Sequence, residues 1–384
     1  MILIKASEIY LKDKILYDST VAVENGRIVE IGGSFKGECE IIDLGRLKLL
    51  PGFLDIHVHG GNGFDTMDAT YEALSEISKY KLLEGVTAFC PTTVSDSREN
   101  IINAMDCIGI AKERGVPGAR IIWPFIEGPF INFARKGAHS GEFVDEKPDE
   151  GIVDLLAGYD GGLSVLIAPE LDGAMDIIKA LKHRGINVRI GHSNADYETA
   201  VNAAENGGNI VAHMFNAMAP FSAREPGILA AGLLCDKLYT EIICDMVHSH
   251  RASLKLLFRA KGKDKIILIT DCMRAGGLGD GNYTLGGRAV KVKGGIARTA
   301  EGNLAGSTLR IIDAVKNLYE NFDLDLHDII NMATINPAEA LGIDNENGSI
   351  ACSKVADLIA VDDKLNIRFV MVGGMAKINM PSPV

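Results

Sequence analysis

Eight short apolar runs recur between residues 53 and 270, and amphipathic helical stretches fill the intervals between them. This alternation predicts a parallel sheet covered by helices. Eight such units favour an α/β fold built on a (β/α)8 TIM-like barrel over an open sheet. The apolar runs are Phe53–Val58, Val86–Thr92, Arg120–Ile126, Ser164–Ala168, Asn187–Ile190, Asn209–Ala212, Thr240–Cys244 and Lys265–Thr270. The helical patterns include Ala69–Leu83, Arg98–Arg114, Gly173–Arg184, Ala195–Glu205 and Ser249–Ala260.

Both ends of the chain contain short alternating patterns that predict β-strands. The chain has 384 residues, which suits a barrel of about 250 residues plus a smaller attachment. We therefore expect residues 1–52 and 350–384 to build one small domain together, and residues 53–349 to form the barrel. The terminal candidates are Ile2–Lys5, Thr20–Val23, Arg27–Ile31, Ile41–Leu44, Lys354–Val361 and Ile367–Val372.

Composition excludes several functional classes. The net charge of −12 argues against a broad nucleic-acid surface, which needs clustered Lys and Arg. No apolar run approaches the roughly 18 residues of a membrane span, and polar residues follow Met1 too soon for a secretory signal, so a cytoplasmic protein without membrane contact is expected. The seven cysteines are scattered without a CxxC pair, which favours neither a disulfide framework nor a zinc ribbon.

Histidines concentrate where a barrel enzyme places its chemistry. They fall at or just past the carboxyl ends of the predicted strands, at His57, His59, His192, His213 and His248. Side chains alternate along a strand, so the two imidazoles of the HxH pair at 57 and 59 point to the same side, into the barrel mouth. The cluster as a whole predicts a metal centre, since imidazole is a common metal ligand.

Two carboxylates join this cluster. Glu127 ends an apolar strand, where a buried carboxylate is costly without a metal or a hydrogen-bonding partner. His192 and His213 end successive strands, so they can converge with Glu127 on one ion as a His₂Glu set. Asp271 ends the last predicted strand and suits either metal ligation or proton transfer.

Several motifs are spread over nearly the whole chain, namely PGFLDIHVHG, FIEGPF, GHS at 191–193, HMFNAM at 213–218, REPG at 224–227, TDCM, TINPAEALG and GSIACSKVADLIAV. Together they resemble the N-acetylglucosamine-6-phosphate deacetylases of the amidohydrolase superfamily. The HxH and the C-terminal pattern are common in the superfamily, whereas IEGP, GHS, HxFNAM and REPG in combination are more specific. Cys272 and Arg274 depart from the small residues expected after the catalytic Asp, and Cys272 is a further, disfavoured metal ligand.

The resemblance implies a barrel with a smaller β-sandwich formed by the N- and C-terminal segments, assembled as a homodimer. It assigns the principal metal to Glu127, His192 and His213, and a second, variably occupied metal to His57 and His59. It also makes Asp271 the catalytic acid/base and His139 a substrate contact. One or two divalent ions per subunit are expected, with zinc favoured and iron or manganese as alternatives.

The resemblance further implies an amino-sugar phosphate as the small-molecule substrate. We expect Arg224 and His248, with the backbone amides around Asn216 and Ala217, to bind the anion, and Arg224 and His248 to reach across a dimer interface. The glycine-rich hairpin around Lys291–Lys293 is expected to be an insertion on the active-site side.

The predicted reaction is hydrolysis of the N-acetyl group of N-acetylglucosamine 6-phosphate. A deacetylase of the galacto epimer or a related cyclic-amide hydrolase is the alternative enzyme. A catalytically silent scaffold of the same fold is the alternative from another class, and it is disfavoured because Glu127, His192, His213 and Asp271 are all present.

Overall fold

The computed structural model describes residues 1–33, 38–148, 156, 159 and 162–380. Its strands are β1 (Ile2–Tyr10), β2 (Ile15–Glu24), β3 (Arg27–Ile31), β4 (Glu40–Asp43), β5 (Lys48–Pro51), β6 (Phe53–Val58), β7 (Gly60–Gly61), β8 (Phe64–Asp65), β9 (Val86–Pro91), β10 (Arg120–Ile121), β11 (Phe125–Ile126), β12 (Ser164–Ile167), β13 (Asn187–Ile190), β14 (Gly208–Val211), β15 (Tyr239–Ile243), β16 (Ile266–Ile269), β17 (Gly281–Leu285), β18 (Arg288–Lys293), β19 (Ile296–Thr299), β20 (Leu358–Val361), β21 (Ile367–Val372) and β22 (Met375–Asn379).

Its α-helices are α1 (Tyr71–Leu83), α2 (Arg98–Arg114), α3 (Ala174–His183), α4 (Tyr197–Asn206), α5 (Gly227–Leu234), α6 (Arg251–Lys261), α7 (Ile311–Asn321), α8 (Leu326–Met332) and α9 (Ile335–Leu341). Short 3₁₀ turns lie at Thr66–Asp68, Phe133–Arg135, Gly141–Phe143 and Lys263–Lys265. None of the helices in the described part of the chain is long and apolar enough to cross a membrane.

The eight predicted barrel strands are all present, and the third is split into β10 and β11. They form two parallel sheets, with orders β10-β9-β6 and β11-β12-β13-β14-β15-β16. Isolated parallel bridges join the sheets on both sides, at Thr92–Phe125 and at Val58–Cys272. The strands therefore curl into a ring whose carboxyl ends share one mouth, which confirms the predicted α/β barrel fold.

Local sequence explains where the barrel elements begin and end. Strands β6, β9, β12 and β16 are buried along their whole length, as a sheet covered on both faces requires. Helix α2 begins after Ser97, whose hydroxyl accepts a hydrogen bond from the Asn100 amide. It ends at Gly115, which has a φ of 78° that glycine adopts without strain.

The two chain ends share one curled sheet, with the order β22-β21-β20-β5-β1-β2-β3 and β4 paired to β1. Strand β20 of the C-terminal segment pairs antiparallel with β5 of the N-terminal segment, and both segments line one separate core. The predicted second, smaller β domain is thus confirmed as a sheet with its own core. The boundaries at 52/53 and 349/350 stay predictions, and residues 381–384 lie outside the described residues.

Sequence patterns underestimated the terminal strands and found the inserted hairpin. Strand β1 extends to Tyr10 rather than Lys5, and β2 begins at Ile15 rather than Thr20. Strands β17, β18 and β19 form an antiparallel sheet in the glycine-rich segment around Lys291–Lys293. Leu285, Gly286 and Arg288 from this insertion line the cavity at the barrel mouth.

A fully buried lysine links four elements of the barrel. Lys81 on α1 has no exposed surface, and its Nζ lies 3.1 Å from Asp55 on β6 and 3.1 Å from Glu84. It also donates to Thr270 just after β16, at 3.2 Å, while Glu84 accepts a hydrogen bond from the amide of Ile311 on α7. Burial lowers the pKa of Lys81, but Glu84 and Asp55 outweigh burial and raise that pKa above its ordinary value, so the ammonium stays charged.

Lys81→Met should lower the free energy of unfolding by about 3–5 kcal/mol, because it leaves two buried carboxylates without their cation. Lys79→Met is the matched control on the same helix, since Lys79 pairs with Glu76 at the surface, and it should change stability by less than about 0.5 kcal/mol. Urea unfolding followed by circular dichroism measures both variants. Equal stability losses would contradict a structural role for the buried network.

Candidate metal and active site

The barrel strands bring six side chains of types that can bind a metal to one mouth, and each side chain lies in or just after a strand. They are His57 and His59 from β6, Glu127 after β11, His192 after β13, His213 after β14 and Asp271 after β16. Three of these residues have left-handed backbones, with φ values of 47° at His192, 27° at His213 and 50° at Asp271. Such conformations cost roughly 1–3 kcal/mol each and cluster at functional sites, where they turn a side chain inward at a strand end.

Glu127 is the centre of this group, with its side chain only 4% exposed. Five imidazole Nε2 atoms surround its two oxygens, at 2.9 Å (His213), 3.3 Å (His57) and 3.5 Å (His192) from Oε1 and at 3.2 Å (His59) and 3.3 Å (His139) from Oε2. Burial raises the pKa of Glu127, but the imidazoles outweigh burial and hold that pKa well below its ordinary value. The carboxylate is therefore charged.

The predicted ligands Glu127, His192 and His213 come together. His192 Nδ1 lies 2.7 Å from the Arg135 carbonyl oxygen, so Nδ1 carries the proton and Nε2 presents its lone pair. Burial, with the neighbouring His139 and His213, lowers the pKa of His192 to about 4, so the ring is neutral at pH 7. That lone pair faces His213 Nε2 at 3.1 Å and Glu127 Oε1 at 3.5 Å.

Acceptor atoms that face each other in a buried site repel unless a cation lies between them. His57 Nε2 and Asp271 Oδ1 add to the imbalance, because both are buried without a hydrogen-bond partner among the described residues. Nitrogen and carboxylate donors in this arrangement suit a divalent metal. The residues therefore fit the metal centre that the sequence predicts.

The donor atoms form two adjacent groups, with His57, His59 and Asp271 in one and Glu127, His139 and His192 in the other. In the second group, hydrogen bonding disfavours His139 as a ligand. The Ser95 amide donates to His139 Nδ1 at 3.0 Å, which occupies the single lone pair of a neutral imidazole. His139 Nε2 then carries a proton toward Glu127, and the geometry favours His213 as the third ligand.

Asp271 combines charge with access to the cavity. Its Oδ1 lies 3.1 Å from His59 Nε2 and 3.6 Å from His57 Nε2. Burial raises the pKa of Asp271, but His57 and His59 outweigh burial and lower that pKa below its ordinary value. The carboxylate is therefore ionised at neutral pH and able to accept a proton.

The cavity above these groups encloses about 460 Å³. Four of the five residues predicted to bind substrate line it, namely His139, Asn216, Ala217 and His248. Arg224 does not line it, since this residue lies on an exposed loop. His57 is fully buried below the cavity floor, whereas His59 lines it.

Several basic residues around the site were not predicted from the sequence. Arg135, Lys136 and Arg288 line the cavity, and Arg288 donates to the carbonyl oxygens of Ala138 and His139, which fixes the loop that carries His139. Proximity in the chain was a signal for Arg135 and Lys136, which lie four and three residues before His139, respectively. Arg288 carried no such signal.

The motifs did not indicate a buried ion pair next to the site. Arg189 and Glu241 lie beneath His57, and each is the single charged residue of a mostly apolar strand. That pattern is the signal that could have identified them.

Cys272 and Arg274, the two residues that depart from the expected motif, lie in different environments. Cys272 is fully buried, and burial raises the pKa of its thiol to about 12, so the thiolate form that binds metals is unfavourable. Arg274 donates to Asp68 at 2.6 Å and to the Gly63 carbonyl at 2.9 Å, and thereby fixes the loop after β6.

Comparison with known proteins places this site in context. Residues 49–377 match the amidohydrolase family. The chain is 39% identical to the N-acetylglucosamine-6-phosphate deacetylase of Vibrio furnissii, over 93% of this chain and 90% of the relative. It is 37% identical to the N-acetylgalactosamine-6-phosphate deacetylase of Escherichia coli O157:H7, over 85% of this chain and 86% of the relative. The crystal structure of N-acetylglucosamine-6-phosphate deacetylase from Pasteurella multocida superposes with a TM-score of 0.92 at 28% identity, covering 98% of this chain and 99% of that one.

The hydrogen bonds predict different metal contents for two histidine variants. His213→Ala should lose most of the bound metal because it removes a ligand lone pair, whereas His139→Ala should retain it. His183→Ala is the control, since that imidazole bonds to the Lys179 carbonyl on an exposed helix surface. Elemental analysis after dialysis against metal-free buffer measures all three, and equal loss from His139→Ala would contradict the assignment.

Proposed function

The chain belongs to the amidohydrolase family, among its amino-sugar-phosphate deacetylases, and we propose that it hydrolyses the N-acetyl group of N-acetylglucosamine 6-phosphate. The products are glucosamine 6-phosphate and acetate. The observation that carries the proposal is the group of five imidazoles around Glu127, with Asp271 beside it, in a chain that matches deacetylases over nearly its whole length.

Glu127, His192 and His213 would hold the principal divalent ion, and His57 and His59 a second one. Zinc is favoured by the nitrogen and carboxylate donors, and iron and manganese bind the same set. When bound, the metal supplies Lewis-acid activation of the attacking water and of the acetyl carbonyl. We therefore propose that each subunit binds one or two divalent ions.

Asp271 performs the proton transfers. Its ionised carboxylate accepts a proton from the attacking water while the water oxygen bonds to the acetyl carbon. As the carbon–nitrogen bond breaks, Asp271 returns this proton to the leaving amine nitrogen, so the base of the first step is the acid of the second. His139, held by Ser95, lines the cavity beside Glu127, where its ring can contact the substrate.

Arg224 and His248 would bind the phosphate, with the backbone amides of Asn216 and Ala217 nearby. His248 lines the cavity, and its Nδ1 lies 2.7 Å from Asp245, which fixes the ring. Arg224 is exposed on its own chain, two residues beyond the exposed Phe221–Ser222 pair. Both observations are satisfied by a homodimer in which one subunit supplies Arg224 to its partner's cavity. We also propose that the protein is cytoplasmic.

The galacto epimer remains the second candidate substrate because one relative at 37% identity is an N-acetylgalactosamine-6-phosphate deacetylase. The ligand set acts on the acetyl group and does not distinguish the epimers. Acetate release from the two 6-phosphates, measured side by side with wild-type protein, decides between them. The gluco assignment requires the higher kcat/KM on N-acetylglucosamine 6-phosphate.

Asp271→Asn should lower turnover by about 10²-fold or more while metal remains bound, because the amide keeps the shape of the carboxylate but cannot accept the proton. Acetate release and metal content measured on the same sample check both parts. Near-normal turnover would move the proton transfer to another group, with Glu127 the next candidate. Loss of the metal would show that Asp271 acts mainly as a ligand.

Arg224→Ala should lower kcat/KM for the 6-phosphate by roughly ten- to a hundredfold, since a charged hydrogen bond contributes roughly 1.5–3 kcal/mol. The unphosphorylated sugar should be nearly unaffected. Glu225→Ala, which alters the next exposed residue of the same loop, is the control. If Arg224→Ala impairs both sugars equally, or if wild type shows no preference for the phosphate, the sugar-phosphate assignment is wrong.

A further inference from the structure

Two barrel strands that are separated by a single strand bury opposite charges beneath the candidate metal ligands. Arg189 on β13 and Glu241 on β15 are both fully buried, and the residues around them in each strand are mostly apolar. Burying two charges is expensive and is often no more stabilising than well-packed apolar residues. Stability alone is therefore a weak reason for this pair to lie here.

The pair is held in one geometry by contacts on several sides. Arg189 donates to Glu241 Oε1 at 2.5 Å and to the carbonyl oxygen of Ile56 at 3.0 Å. Its guanidinium lies 3.7 Å from the centre of the Phe125 ring, and the same ring contacts His57 edge-on at 4.8 Å. Neither Arg189 nor Glu241 reaches the cavity, so any effect on chemistry passes through another residue.

The second oxygen of Glu241 contacts two of the candidate ligands. Oε2 lies 3.0 Å from His57 Nδ1 and accepts a hydrogen bond from the His213 amide at 3.3 Å. Because the carboxylate only accepts, His57 Nδ1 carries the proton, and its Nε2 points at Glu127 and Asp271. A carboxylate behind a ligating imidazole fixes the ring, selects the tautomer and raises its basicity.

We propose that Glu241, held by Arg189, is a positioning residue that sets the affinity of the second metal position through His57. This inference rests on the metal-dependent function proposed above. The contrasting explanation is a buried ion pair that only holds β13 and β15 together, and the two explanations differ in what removal of the charge does to metal binding.

Glu241→Gln should weaken binding of the second zinc ion by about 10- to 100-fold, the usual loss when such a partner of a ligand is altered. Competition of the metal-free protein with a chromophoric chelator for zinc measures the dissociation constant. Glu84→Gln is the matched control, since Glu84 is equally buried and paired with Lys81 but contacts none of the candidate ligands. Unchanged affinity in Glu241→Gln, or equal weakening in Glu84→Gln, would overturn the inference.

A double-variant comparison tests whether the effect passes through His57. In a His57→Ala background, Glu241→Gln should cause no further loss of zinc affinity, because the imidazole that it positions is gone. A further tenfold loss in that background would assign the effect to the His213 backbone and overturn the route through His57.

A measurement on unaltered protein guards against variants that fail to fold. Nitrogen-15 NMR of the zinc-loaded wild type should show His57 with a proton on Nδ1 and none on Nε2, and a His57 Nδ1 without a proton would overturn the inference. Wild-type protein with no measurable zinc affinity would overturn the proposed function, and this inference with it. If wild type binds zinc and Glu241→Gln binds it with the same affinity, only the inference is overturned and the proposed function stands.

Discussion

The carboxylate of Glu127 is the constraint on which the rest of the site depends. Five imidazole nitrogens approach its two oxygens within 3.5 Å in a buried space, and the His192 nitrogen among them presents a lone pair rather than a proton. A buried carboxylate that faces this lone pair is stabilised by positive charge between the two acceptors. The left-handed backbones at His192, His213 and Asp271 are the conformational cost of bringing these side chains together.

Strands and loops contribute different parts of the candidate site. Strand ends supply the candidate metal ligands and Asp271, on a rigid barrel whose strands are buried on both faces. Loops and the inserted hairpin supply the cavity wall, and Arg288 of the hairpin is tied to the loop that carries His139. Reaction chemistry can thus stay fixed while loop residues tune recognition of the sugar and phosphate, as is usual for barrel enzymes.

Sequence patterns predicted the eight barrel strands because burial on both faces leaves a continuous apolar run. They predicted most of the candidate site because several of these runs end in a histidine or a carboxylate. They did not find Arg189 and Glu241, which are 52 residues apart and form a pair only through the order of β13 and β15. They placed His213 rather than His139 in the predicted ligand set because His213 ends a strand, but they could not reveal the hydrogen bond from the distant Ser95 amide that occupies the His139 lone pair. Arg224 was predicted at the site, but on a single chain it lies outside the cavity.

The most direct test of the metal-centred account is to strip the metal and follow acetate release from N-acetylglucosamine 6-phosphate alongside the measured metal content. We expect activity to fall in proportion to the metal removed and to return when one or two equivalents per chain of zinc, iron or manganese are restored. Full activity in a sample verified to be free of metal would contradict the assignment of a cation to the cluster around Glu127.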